Sequence, residues 1–147
     1  MKNIKLLTLM LSLVLCIGLL AGCGSTNYAE NNTEYVLGVS GPLTGGAAMY
    51  GSAVANSAQL AVDEINAAGG LNGTMFKFIA TDDMNDATKI STNYSSMLES
   101  GMQISLGTVT TQPGLEFKNL SADDNVFFLT PSASGDDIPT NDNGFQM

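Results

Sequence analysis

Hydroxyl side chains come after three of the four short apolar runs in this chain: Thr44 and Tyr50 after the first, Thr108, Thr110 and Thr111 after the third, Ser132 and Ser134 after the fourth. Such groups, with free backbone N–H groups, make hydrogen bonds without carrying charge. Thr110 and Thr111 stand just before Pro113, a residue that the first turn of a helix tolerates. Free N–H groups and the positive helix end are therefore expected beside them, an arrangement that prefers a carboxylate. Residues 41–50, 82–86, 107–112 and 131–135 contain no cation. Hydroxyls and amides without charge suit a small zwitterion or a neutral polar ligand. Serine and threonine are also good loop and cap residues, so any one of them alone means little. Their gathering on one edge carries the argument.

Other chemistries fare worse. Asp82, Asp83 and Asp86 lack the spacing and glycine of a calcium loop, so no metal is expected. They read as a solvated loop in which Asp86 caps the next helix. Gly41, Gly45, Gly46 and Gly51 match neither a phosphate loop nor the dinucleotide fingerprint, and no cofactor is implied. With no histidine, and no serine or threonine beside an evident activating base, catalysis is disfavoured.

The elements that must position these residues alternate. Tyr35–Ser40 is an apolar, β-prone run with too little alternation for a half-exposed strand, which fits a strand buried on both faces. Gly51–Ala68 is next, a helix whose apolar face is Val54, Ala58, Ala61, Val62 and Ile65, with Asp63, Glu64 and Asn66 off it. Gly69 and Gly70 stop it. Met75–Ala80 reads as a second strand. Ala87, Ile90, Tyr94, Met97 and Leu98 mark a second helix, and Gln103–Gly107 a third strand. Leu115, Phe117, Leu120 and Ala122 carry a third helix, and Val126–Thr130 a fourth strand. Met97 and Met102 look like packing residues. Residues 136–147 are loop-like, with Phe145-Gln146-Met147 resembling the start of another strand. The order βαβαβαβ implies an α/β fold: a parallel sheet with right-handed crossovers and helices on both faces. All four loops at the strands' carboxyl ends then meet on one edge, where ligands bind in such sheets.

The N-terminus has a different purpose. Lys2 and Lys5 precede an apolar run from Leu6 to Leu20, and small residues lead to Cys23. That is the pattern of a secretory signal, too short for a comfortable membrane span. Leu20-Ala21-Gly22-Cys23 resembles the bacterial lipobox, which implies cleavage after residue 22, lipid on Cys23 and anchoring on the extracytoplasmic face of the cell membrane. Cys16 leaves with the signal, so no thiol remains for a disulfide, metal or nucleophile. Residues 23–34 read as a polar tether, and residues 35–147 as the ligand-binding domain. The formal net charge is −9, and Lys77, Lys89 and Lys118 are the only basic residues beyond the signal. A nucleic-acid partner is excluded, since phosphate binding needs a basic face.

Taken together, several segments resemble the leucine/isoleucine/valine-binding family of ABC-transporter receptors, the type I periplasmic binding proteins. They are Gly41-Pro42-Leu43-Thr44-Gly45 with Tyr50-Gly51, the helix Ala61–Gly70, Asp82-Asp83 with Asp86, Gly107 with Thr110-Thr111-Gln112-Pro113, and Pro131-Ser132-Ala133-Ser134. The resemblance runs from about Tyr35 to Met147. It implies two α/β lobes closing on a ligand, of which this chain resembles the first, and a chain that is a fragment of a longer receptor. It assigns Thr110 and Thr111 to the α-carboxylate of the ligand, Ser132 and Ser134 to the carboxylate and α-amino group, and Tyr50 to the side-chain pocket. The two serines replace an alanine and a threonine common in the branched-chain binders, and the loop after Gly107 is shorter than in some of them.

The function so implied is capture of an amino acid or small amide for a membrane permease of an ABC importer. A sensory module of the same fold and an exported enzyme are the alternatives, separable by neighbouring permease genes and by turnover of an amide or peptide. The lipobox reading predicts that a Cys23→Ser protein is released to the medium or keeps its signal, measured by fractionation and mass spectrometry. A variant that stayed acylated and membrane-bound like the wild type would overturn it.

Overall fold

A computed structural model describes residues 33–147. The expectations for the signal segment, for Cys23 and for nearly all of the tether lie outside the described residues. The first strand, β1 (Glu34–Gly41), takes in the last residue assigned to that tether.

Helix α1 (Ala48–Ala67) leads to β2 (Met75–Asp82). A 3-10 turn (Ala87–Lys89) and α2 (Ile90–Glu99) lead to β3 (Ile104–Thr108). Helix α3 (Thr111–Asp123) leads to β4 (Phe127–Thr130), and a 3-10 turn (Ile138–Thr140) to β5 (Gly144–Gln146). The five strands form one sheet, β2-β1-β3-β4-β5, and every pairing is parallel. The expected α/β architecture is therefore present, and the C-terminal residues do form a further strand.

Sheet order explains the layering. The crossover from β1 to β2 runs one way along the sheet, and the later ones run the other way. Right-handed crossovers then put α1 on one face and α2 and α3 on the opposite face. The core lies on the second face: Ile90, Tyr94 and Met97 from α2, Phe117 from α3, and Met102, Phe128, Ala133 and Ile138 around them. Phe117 is its hub, meeting Tyr94 and Phe128 edge-on at centroid distances of 5.2 and 5.5 Å. Met97 and Met102 are buried packing residues, as expected.

Helix α1 differs from its expected outline in two ways. It begins at Ala48, a turn before Gly51, and its buried residues are Gly51 and Val62. Ala61 and Ile65 are exposed, and Val54 and Ala58 half-buried, because the helix rests on the β1–β2 edge and buries a narrow stripe. Asn66, expected off the packed face, lies at the end of that stripe. Its side chain donates to the Phe76 carbonyl and accepts from the Phe76 N–H, each at 2.8 Å. On α3 the buried stripe is Pro113, Gly114, Phe117 and Ser121; Leu115 and Leu120 are half-buried and Ala122 is exposed.

Gly51 is a packing residue inside the helix. A Cβ there would lie 2.1 Å from the Pro42 carbonyl oxygen, a backbone atom that cannot swing away. Gly51→Ala should therefore destabilise the fold by about 1–3 kcal/mol, the usual cost of overpacking. Gly46→Ala, where nothing lies within 4 Å, should leave the midpoint of chemical denaturation nearly unchanged. Equal midpoints for the two variants would contradict this account of α1 packing.

Candidate functional site

At the carboxyl edge of the sheet, loops meet where side chains are missing. A Cβ on Gly41 would lie 2.7 Å from Val109 Cγ2, with Gly51 Cα 3.7 Å away. The end of β1, the turn after β3 and the first turns of α1 therefore touch. A Cβ on Gly135 would lie 2.5 Å from Thr111 Cγ2, which brings the loop after β4 against the start of α3. The Thr130 hydroxyl donates to the Thr108 carbonyl at 2.6 Å and accepts from the Ala133 N–H at 3.3 Å, tying β3 to the β4 loop.

Strand β3 reaches this edge through a bulge. Between Gly38 and Ser40 of β1 it passes from Ser105 to Thr108, one residue more than its partner, with Gly107 at φ +62°. Such an insertion bends the strand and re-aims the chain beyond it. The chain then enters α3 through Thr110.

Thr110 has extended backbone, φ −123° and ψ 154°, and its hydroxyl does not cap the helix. The Oγ1 atom is buried and has no hydrogen-bond partner among the described residues. A buried hydroxyl left alone costs about 1–3 kcal/mol. The N–H groups of Thr111 and Gln112 precede any intrahelical acceptor, and Pro113 contributes none. The Thr110 hydroxyl and the first N–H groups of α3 are thus neighbouring hydrogen-bond donors.

Ser132 and Ser134 are exposed on the neighbouring loop. Tyr50 projects from the first turn of α1 at 57% exposure, beside the Gly41–Val109–Gly51 contact. The structure thus places Thr110, Thr111, Ser132, Ser134 and Tyr50 on adjoining segments. Thr44 differs. Its hydroxyl donates to Asp82 Oδ2 at 2.5 Å, so it is engaged within the protein rather than free to donate to a ligand.

The loop of the three aspartates is solvated at Met84, Asn85 and Asp86, as expected, and Asp82 is half-buried, but Asp83 departs from that reading. Asp83 is fully buried, with one carboxylate oxygen accepting from Ser40 Oγ at 3.2 Å and the other from the Asn85 N–H at 2.8 Å. Ser40 in turn accepts from Asn93 at 3.1 Å. Asp82 takes the N–H groups of Leu43 and Met84, each at 2.9 Å, and of Thr44 at 3.3 Å. Asp86 caps the following turn through the Thr88 N–H at 2.9 Å, as expected. Together Asp82 and Asp83 hold Met84 and Asn85 at φ +54° and +62°, a conformation non-glycine residues seldom adopt. The readable signal was three aspartates, each able to accept from the N–H two residues on.

Residues 34–147 match the model of the periplasmic binding protein family. The chain belongs to that family. It is 31% identical over 107 residues to the Leu/Ile/Val-binding protein BraC3 of Rhizobium johnstonii, covering 73% of this chain and 29% of that one. It is 29% identical to the leucine-, isoleucine-, valine-, threonine- and alanine-binding protein of Pseudomonas aeruginosa, covering 81% and 31%. Among solved structures, the branched-chain amino acid transporter substrate-binding protein LivJ of Streptococcus pneumoniae, in complex with isoleucine, superposes with a TM-score of 0.73 at 27% identity. That match covers 77% of this chain and 33% of LivJ. The chain spans about a third of the length of these relatives. As a periplasmic binding protein it belongs to a family of extracytoplasmic solute-binding proteins, not a family of enzymes.

The carboxylates of this edge titrate in opposite directions. The Thr44 hydroxyl and the backbone N–H groups of Met84, Leu43 and Thr44 hold Asp82 below the usual carboxylate range against the effect of desolvation. Burial pushes Asp83 up, against its bonds from Asn85 and Ser40. A raised folded-state value means that Asp83 favours folding below the ordinary carboxylate value, and that this advantage is lost as pH rises through the raised value. Asn at this position keeps an acceptor for Asn85 and offers a donor to Ser40. The thermal midpoint of Asp83→Asn should exceed that of the wild type at neutral pH, and the gap should close toward about pH 4. A pH-independent gap would contradict the burial account.

Proposed function

We propose that this protein is the first lobe of a lipid-anchored receptor that captures an L-α-amino acid, branched-chain or related, or a small amide. The observation that carries the reading is the Thr110 hydroxyl at the start of α3, buried and without a hydrogen-bond partner among the described residues. The amino-acid ligands named for the relatives and for LivJ support it.

The ligand carboxylate accepts hydrogen bonds from the Thr110 hydroxyl and the first N–H groups of α3. The α-amino group sits against Ser132 and Ser134, and the ligand side chain lies beneath Tyr50. A second lobe closes over the bound molecule and shields these bonds from water. No bond in the ligand is made or broken; the work is capture, closure and release to the permease of an ABC importer. Lipid on Cys23 keeps the receptor near that permease, and an edge without cations suits a zwitterion with no net charge.

The test is a thermal-shift and calorimetric panel of L-leucine, L-isoleucine, L-valine, L-threonine and L-alanine on the wild type and on Thr110→Ala/Thr111→Ala. The double variant should fold normally and bind the preferred amino acid at least about tenfold more weakly, with its thermal shift lost. An unchanged shift in the double variant would sink the site assignment. Silence of the wild type across the panel would sink the amino-acid reading.

A further inference from the structure

The loop between β1 and α1 carries Thr44 and sets where Tyr50 stands, yet beyond the buried Pro42 its own side chains pack it down poorly. Leu43 is half-buried, Thr44, Gly45 and Gly46 are exposed, and the helix after them has no side-chain cap. The loop is held from the next strand. Asp82, at the end of β2, faces Gly41 in the β1–β2 register. Its Oδ1 accepts from the Leu43 N–H and the Thr44 N–H, at 2.9 and 3.3 Å, and its Oδ2 from the Thr44 hydroxyl at 2.5 Å. Oδ1 also takes the Met84 N–H at 2.9 Å, which anchors the carboxylate to its own turn. Beside it, the Asp83 N–H donates to the Gly41 carbonyl at 3.0 Å.

Asp82 is in no position to touch a ligand on the β3–β4 side. In the order β2-β1-β3, strand β2 lies two strands from β3, about 10 Å away. The loop it holds does reach that side: Gly41 contacts Val109, and Gly51 packs on Pro42 within the same unit.

We propose that Asp82 is a positioning residue for ligand binding: without contacting the ligand, it fixes the Pro42–Ala47 loop through Leu43 and Thr44, and so places Tyr50 over the site. The proposal rests on the amino-acid reading for its ligand, but the pinning itself does not. Charge-assisted bonds of this kind are stronger than neutral ones of the same geometry, and they are the contacts that hold the Leu43 and Thr44 N–H groups. Thr44 then acts through its hydroxyl as the partner of Asp82, not as a ligand group.

The experiment compares wild type, Asp82→Ala, Thr44→Val, Thr44→Ser and Asp82→Ala/Thr44→Val by amide hydrogen exchange without ligand and by calorimetric titration with L-isoleucine. Exchange at Leu43 and Thr44 should speed up in Asp82→Ala while amides of β3 and β4 keep their protection. Isoleucine affinity should fall about tenfold, by an amount typical of a lost bond to a charged group. Thr44→Ser should keep both readouts near wild type, Thr44→Val should reproduce part of the loss, and the double variant should be no worse than Asp82→Ala. Unchanged exchange in Asp82→Ala, or isoleucine binding within twofold of wild type, would overturn the proposal. If the wild type binds no isoleucine, the ligand reading fails, and the exchange data alone decide whether Asp82 pins the loop.

Discussion

Near the carboxyl edge, the Gly51 backbone rests against the Pro42 carbonyl so closely that a single methyl group would not fit between them. The same constraint recurs where Gly41 meets Val109 and where Gly135 meets Thr111. Each close approach joins a strand's exit to a neighbouring loop or helix entry. Parallel pairing puts all the exits on one side, but pairing alone leaves the loops free to splay. Missing side chains let them converge, and the segments that carry Thr110, Thr111, Ser132 and Ser134 adjoin as a result.

Convergence of this kind leaves polar atoms to be satisfied. Thr130 reaches across to the Thr108 carbonyl at the β3–β4 edge, and Asp82 and Asp83 satisfy the backbone of two turns. At this edge Thr110 is the exception, with a buried hydroxyl that has no partner among the described residues. An interior polar atom without a partner is a standing cost to the folded state. The electrostatics of the edge divide accordingly. Carboxylates crowd the β2 end, already occupied by protein N–H groups, while uncharged donors gather at the β3–β4 end.

Much of this was legible in the sequence because it depends on periodicity and punctuation. Alternating apolar runs and helical faces placed the elements within a few residues, and the prolines and glycines marked their ends. Parallel topology came from the alternation, and the grouping of the hydroxyl loops came from the topology. Three features were not legible. The start of α1 was hidden because the Gly/Pro-rich stretch up to Gly51 reads as loop, whereas the close fit of Gly51 against Pro42 lets the helix begin at Ala48, a contact that only the tertiary fold reveals. The burial of Asp83 was hidden because its partners, Ser40 and Asn93, come from distant parts of the chain. The engagement of Thr44 with Asp82 likewise spans 38 residues of sequence, and no local pattern announces it.

Asn66 has an effect beyond fastening α1 to β2. Strand β2 is the outer strand on its side of the sheet, and an outer strand presents its backbone to any extended peptide that drifts by. By gripping both the N–H and the carbonyl of Phe76, the Asn66 amide imitates one residue of a neighbouring strand and occupies that place. A second chain seeking to add itself to the sheet finds the rung at Phe76 already taken. One side chain thereby discourages edge-to-edge stacking of molecules, which matters most where many copies are held at close quarters.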